Sequence, residues 1–171
     1  IMAAYGAQIS QGKSKDEAIA YLNELFHHVA VQDASARDAL QTFTGGKGDV
    51  LLSYENEAIT AQQKGEDVDY VVPDQTILIE NPVAVTSDAP QSAADFVKFL
   101  YSDEAQKIFG EKGYRPVVKS VADTFDYPTP SSLSTIADFG GWGTVKDEFF
   151  DPENGIVAKI EVELGVSTDS G

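Results

Sequence analysis

The sequence predicts an α/β fold, because short apolar runs of strand type alternate along the chain with segments of helical period. Three observations carry this. Asp49–Tyr54 reads Asp-Val-Leu-Leu-Ser-Tyr, a continuous apolar run bounded by turn residues. Ile19, Leu22, Leu25 and Phe26 recur at the spacing of one helix face. Glycine and proline clusters separate the two kinds of segment.

Taken in order, Ile1 to about Ser10 is expected to be helical and to stop at Gln11-Gly12-Lys13. Ser14 then caps a second helix, with Glu17 three positions on to complete a capping box. Val29–Val31 is expected as a short strand, and Asp33-Ala34-Ser35-Ala36 turns into a helix from Arg37 to Phe43, stopped by Gly45-Gly46-Lys47-Gly48. Asp49–Tyr54 is expected as a buried strand, followed by a helix from Glu55 to Gln63. Tyr70–Pro73 and Thr76–Ile79 are expected strands, with Pro82–Val85 continuing extended. Helices are expected from Ser92, with Phe96, Phe99 and Leu100 on one face, and from Ser102, with Ala105, Ile108 and Phe109 inward. Gly110 and Gly113 stop the latter, and Tyr114–Val117 leaves extended. Loops follow from Ser120, then Phe139-Gly140-Gly141-Trp142, a helix from Thr144 to Phe150 and another from Gly155 to Leu164.

With 12 Lys+Arg against 28 Asp+Glu, the chain carries a formal charge of −16. Non-specific attraction to nucleic acid or anionic membrane is therefore disfavoured, since phosphate contacts need clustered cations. The absence of cysteine among the 171 residues excludes disulfides, thiol catalysis and Cys-ligated metal. No basic, apolar leader precedes Ala3-Ala4-Tyr5-Gly6, which reads as helix interior, so the chain is expected to be a portion of a longer protein.

Few residues carry catalytic promise. His27 and His28 are adjacent, and neighbours on a helix point about 100° apart, so they do not face one site. One exposed and one packed at a helix end is the expectation. No serine sits in a Gly-x-Ser-x-Gly elbow, and Gly45-Gly46-Lys47-Gly48 lacks the spacing of a phosphate-cradling loop. Asp147, Glu148, Asp151, Glu153 and Asn154 are dense but do not match a Ca²⁺-loop pattern, and are expected as solvated acidic surface. No enzyme activity, cofactor or metal is expected.

The constellation that points to chemistry is Asp33-Ala34-Ser35-Ala36-Arg37-Asp38. A helix starting there presents unpaired N–H groups with about half a positive charge, which suits a small anion. Ser35 can add a hydroxyl donor, Ala36 a backbone N–H, and Arg37 can brace the turn or add charge. Tyr54, at the end of the Asp49–Tyr54 run, offers an O–H donor.

These residues resemble the sulfate-binding proteins of bacterial ABC importers, with thiosulfate-binding proteins similar. The resemblance is carried by Ala36-Arg37 with Thr42-Phe43, Lys47 to Ala58 (Lys-Gly-Asp-Val-Leu-Leu-Ser-Tyr-Glu-Asn-Glu-Ala), Ile77–Val85, Phe99–Gln106, Tyr114-Arg115-Pro116 and Phe139-Gly140-Gly141-Trp142. It implies a type II periplasmic-binding-protein-like, two-lobed α/β fold, of which this chain is about the C-terminal half to two thirds. Residues 1–78 would belong to the distal lobe and 79–171 to the lobe holding both termini, with a hinge crossover near 78–85. It implies that the anion is held between lobes by backbone amides at helix starts and by hydroxyl or indole donors, at Ser35, Ala36, Arg37 and Tyr54. Tyr54 stands where sulfate binders usually carry Trp, and Asp38 where Gly is common. A Ser-Gly-Gly turn that would enter the first helix would lie upstream of Ile1.

The expected function is the solute-binding component of a sulfate, thiosulfate or related oxyanion ABC transporter. It would act in the periplasm or outside the cell, associated with the membrane through the permease. Its expected partners are the oxyanion, the permease and an N-terminal half of the same protein, with no nucleic acid. Alternatives are a ligand-sensing domain of a regulator with the same fold, or capture of molybdate or phosphate. Sulfate at neutral pH has no proton to give, so its site calls for donors; monohydrogen phosphate also calls for an acceptor. The orientation of Asp38 therefore bears on which anion fits.

Overall fold

The computed structural model describes residues 1–165. Nine α-helices, two short strands and one 3-10 turn are formed among them. The helices are α1 (Met2–Ser10), α2 (Lys15–His27), α3 (Ala36–Thr44), α4 (Glu55–Gln63), α5 (Gln91–Leu100), α6 (Asp103–Glu111), α7 (Lys119–Ala122), α8 (Gly141–Phe149) and α9 (Ile156–Glu163). The strands are β1 (Gln75–Ile77) and β2 (Ser132–Ser134), which pair in parallel with Gln75 opposite Ser132 and Ile77 opposite Ser134. The 3-10 turn spans Ile136–Phe139.

The chain divides into two compact units. Unit 1 comprises Ile1–Val29, Pro73–Ile79 and Pro130–Gly171, and unit 2 comprises Ala30–Val72 and Glu80–Thr129. Unit 1 thus draws on three separated stretches of chain and unit 2 on two.

Unit 1 is organised by α2. The Ser14 hydroxyl accepts from the Glu17 N–H, and the Glu17 carboxylate accepts from the Ser14 N–H at 2.8 Å, so both capping bonds of the box are formed. The helix then buries Ala18 and Leu22 completely, against Met2 and Tyr5 of α1, Val145 and Phe149 of α8 and Ile160 of α9. Tyr5 meets Phe139 and Phe149 edge to face, with centroids 5.8 and 4.8 Å apart. Gly6 is small for a packing reason: a Cβ there would stand 2.7 Å from Cζ of Phe139. Lys15 pairs with Glu148, so that acidic residue is engaged with a cation and is not open surface. Asp151 accepts from the N–H groups of Glu153 and Asn154, which holds its carboxyl below the usual range.

Unit 2 is organised by α6. Ser102 caps it by accepting from the Ala105 N–H. Gln106 is buried, and its amide is satisfied: Nε2 donates to the Leu100 carbonyl at 2.7 Å and Oε1 accepts from the Val117 N–H at 2.7 Å. One glutamine thereby ties the start of α6 to the extended segment that follows it.

The strand expectations fare differently from the helical ones. No strand forms at Val29–Val31, Asp49–Tyr54 or Tyr70–Pro73, and Val50, Leu52 and Val71 are 78, 70 and 86% exposed. A strand exists only where a second segment takes up its N–H and C=O groups, and these stretches meet no such segment among the described residues. Phe96 and Phe99, expected on one helix face with Leu100, are 60 and 42% exposed, and Ile108, expected inward, is 49% exposed. Conversely, β2 and α7 lie in a stretch expected as loop.

Candidate functional site

Helix α3 begins where the anion signal was read. Ser35 is its N-cap, in an extended conformation, and its hydroxyl accepts from the Asp38 N–H at 3.1 Å. The same hydroxyl donates to Asp38 Oδ2 at 2.7 Å. The Ser35 proton is thus committed to Asp38, and the Asp38 carboxylate is folded back on the start of its own helix. The Ala36 and Arg37 amides, at the first two helical positions, have no acceptor among the described residues. The Thr42 hydroxyl donates to Asp33 Oδ1 at 2.9 Å, tying the turn before the helix to its second turn. The Arg37 side chain lines a cavity of about 200 Å³ between α3 and α4, shared with Gln41, Glu57 and Lys64.

Helix α4 starts in a comparable way. Tyr54 is its N-cap, with extended backbone and no side-chain cap. The residue is 53% exposed, and its hydroxyl has no partner among the described residues. The Glu55 and Asn56 amides open the helix, again without an acceptor among the described residues. All four sequence-derived residues, Ser35, Ala36, Arg37 and Tyr54, therefore stand at the starts of two helices of unit 2, which pack against each other.

One part of this region had no signal in local spacing. Arg115 grips Glu55, the first residue of α4, with Nε to Oε2 at 2.7 Å and Nη2 to Oε1 at 3.0 Å. Its Nη2 also donates to the Pro128 carbonyl at 2.7 Å, and its guanidinium lies 5.0 Å from the centroid of the Tyr127 ring. Tyr127 in turn donates to the Gly110 carbonyl at 2.7 Å. Burial first, and then the Glu55 carboxylate, raise the Tyr127 hydroxyl above its ordinary pKa, with Arg115 opposing. Gly113, at φ +85°, lets the backbone approach α4 closely: a Cβ there would stand 3.0 Å from the Asn56 Cα. The Tyr-Arg-Pro and Glu-Asn-Glu-Ala stretches, noted separately in the sequence, are brought together here. Sixty residues of separation hide such a pair from any periodic pattern.

The histidines take no part. His27 Nδ1 bonds the Asn23 carbonyl and His28 Nε2 bonds Glu24, and both side chains are exposed on α2 in unit 1. The expected packed histidine is therefore exposed as well, because in the last turn of α2 it is Phe26 that packs against the core around Leu22. Among the described residues no cluster of His, Asp and Glu forms a metal-ligating group, and no helix is long and apolar enough to cross a membrane.

Comparison with known proteins gives these elements a context. The chain is 37% identical over 158 residues to a sulfate-binding protein of Synechococcus elongatus, covering 87% of this chain and 45% of that protein. It is 36% identical over 171 residues to a sulfate-binding protein of Synechocystis, covering 94% and 48%. A thiosulfate-binding protein of Pseudomonas aeruginosa is 31% identical over 162 residues, covering 87% and 48%. The chain spans about half the length of these relatives. Among solved structures, the sulfate-binding protein SubI from Mycobacterium tuberculosis superposes with a TM-score of 0.80 at 42% identity, over 88% of this chain and 54% of that one. The fold is accordingly part of a periplasmic-binding-protein fold, as the resemblance implied. Residues 2–115, which hold both helix starts and the Arg115 fork, match the family of bacterial extracellular solute-binding proteins, and the chain belongs to that family.

Proposed function

We propose that this chain is part of the solute-binding component of an ABC importer and captures sulfate or a closely related oxyanion such as thiosulfate, without catalysis. The observation that carries the reading is the pair of packed helices in unit 2 whose opening amides, at Ala36 and Arg37 and at Glu55 and Asn56, are free of acceptors among the described residues. Two helix starts supply aligned N–H donors and fractional positive charge, which suit an oxyanion that carries no proton to donate. Tyr54 adds a hydroxyl from the cap of α4. Ser35 acts here as the cap that holds the Ala36 and Arg37 amides, and Arg37 adds charge from the α3 side. The sulfate- and thiosulfate-binding relatives support the choice of anion class.

With Asp38 turned onto Ser35, the start of α3 presents donors without a carboxylate acceptor for a protonated anion, which favours sulfate over monohydrogen phosphate. A site made of backbone dipoles also tolerates a formal charge of −16, since affinity comes from local amides and the global field acts mainly on capture rate. The protein works outside the cytoplasmic membrane and delivers its anion to a permease. A further polypeptide, of about the length by which the relatives exceed this chain, completes it.

Calorimetric titration with sulfate, thiosulfate, molybdate and phosphate tests the reading. Saturable binding of sulfate or thiosulfate, with phosphate at least tenfold weaker, is expected. Equal binding of phosphate, or binding of none of the four by a chain carrying its remaining polypeptide, refutes it.

A further inference from the structure

We propose that Arg115 is a positioning residue for the oxyanion site: by neutralising and holding Glu55, it makes the start of α4 fit to receive an anion. The inference rests on the oxyanion reading above.

The difficulty that Arg115 resolves is visible in the sequence of α4. The helix opens Glu55-Asn56-Glu57, so its first residue places a carboxylate beside the amides that are to face a dianion. The Glu55 side chain is only 18% exposed, so water screens it poorly. An uncompensated charge there would oppose anion binding directly and would also compete for the positive end of the helix.

Arg115 removes both problems with one fork. Its two bonds to Glu55, at 2.7 and 3.0 Å, occupy both carboxylate oxygens, so neither can turn toward the helix amides. The bond from Nη2 to the Pro128 carbonyl and the Tyr127 ring beneath the guanidinium fix the fork from the other side. Tyr114 adds a contact from Asn56 Nδ2 to its hydroxyl at 3.4 Å, and Gly113 allows the backbone approach that brings this segment onto the first turn of α4. A lysine would supply the charge but not the two parallel bonds.

The test compares the parent with Arg115→Gln and with the double variant Glu55→Gln/Arg115→Gln, titrated with sulfate at low and at high salt. Arg115→Gln exposes the Glu55 charge and is expected to weaken sulfate by about tenfold or more at low salt, with a smaller loss at high salt. The double variant has no charge left to neutralise and an amide pair of similar shape, and is expected to return to within about threefold of the parent. Circular dichroism of the double variant confirms that the fold is intact. Sulfate binding by Arg115→Gln that matches the parent overturns the inference. A double variant that folds yet stays as weak as Arg115→Gln overturns it too, because the loss would then not come from Glu55. All three proteins carry the remaining polypeptide, and such a parent that binds no oxyanion refutes the underlying reading instead, a result distinct from both.

Discussion

Replacing Gly110 by alanine sets two physical effects against each other, and the packing around α6 decides the sign. Gly110 lies inside α6, where alanine is ordinarily favoured over glycine by about 1 kcal/mol. An ideal Cβ at 110, however, would stand 2.2, 2.3 and 2.7 Å from three atoms of the Phe125 ring. To reach even tight contact near 3.4 Å the ring must withdraw by roughly 1 Å. Phe125 is stacked on Tyr127 with centroids 5.8 Å apart, so withdrawal disturbs that pair and the Tyr127 hydroxyl bond to the Gly110 carbonyl. Overpacking of this kind costs about 1–3 kcal/mol, and a disturbed aromatic pair about 0.5–1.5 kcal/mol. After the helix gain is subtracted, Gly110→Ala is expected to destabilise by about 1–3 kcal/mol. Urea unfolding followed by circular dichroism measures it, with Phe125→Ala and the double variant completing a cycle. In the Phe125→Ala background the added methyl should cost little or should stabilise. A Gly110→Ala variant more stable than the parent would refute the packing described here.

Four further outcomes follow. Tyr54→Phe should weaken sulfate binding by about 1.5–3 kcal/mol while leaving the fold unchanged, since the hydroxyl has no partner among the described residues; equal affinity would remove Tyr54 from the site. Asp38→Asn keeps an acceptor for Ser35 and removes a negative charge beside α3, so sulfate should bind roughly two- to fivefold more tightly at low salt, and no change would place that charge fully in solvent screening. Ser14→Ala removes the side-chain cap of α2 and should cost about 1 kcal/mol in thermal unfolding, whereas no loss would mean that the cap is dispensable. Glu17, held by the Ser14 N–H, and Asp138, held by the Thr135 N–H, have folded-state pKa values below their unfolded ones. Their contribution is therefore present above the ordinary carboxylate range and is lost as pH falls through the lowered values. Acid unfolding should accordingly be shallower in Glu17→Gln, and an unchanged slope would deny that linkage.

What the sequence made legible was local. The Ser14–Glu17 box, the helix starts at Ser35 and Ser102 and the stops at Gly12, Gly45 and Gly113 each report on bonds within one helical turn, and each is formed. Gly110, expected as a stop, instead lies inside α6, because the Phe125 ring packs against it and the helix runs on to Glu111. The apolar face of α2 was readable for the same reason, since Leu22 needs only a helical period to point inward. Val50 and Leu52 show the opposite case. Their run has strand composition, but a strand is a relation between two segments, and composition in one of them says nothing of whether the other is present. Ser132–Ser134 fails in reverse: Ser-Leu-Ser carries little strand preference, yet the Ser132 N–H donates to the Asp74 carbonyl and the Leu78 N–H to the Ser134 carbonyl. Of the candidate site, the start of α3 and Tyr54 could be named from capping chemistry and from resemblance. The Arg115–Glu55 fork could not, because side chains 60 positions apart meet only after α4 and the segment following α6 have packed.

The three-part make-up of unit 1 has a consequence for how the chain comes off the ribosome. Met2, Tyr5 and Leu22 are made early, but the partners that bury them, Val145, Phe149 and Ile160, are made more than 120 residues after Leu22. At ordinary elongation rates that is a wait on the order of ten seconds, during which the apolar face of the first two helices lacks these three partners. Unit 2 needs nothing beyond Thr129, so its helices can settle while the earlier segment is still waiting. Birth order and completion order are inverted between the two units, so α1 and α2 depend on protection from aggregation until α8 and α9 are made.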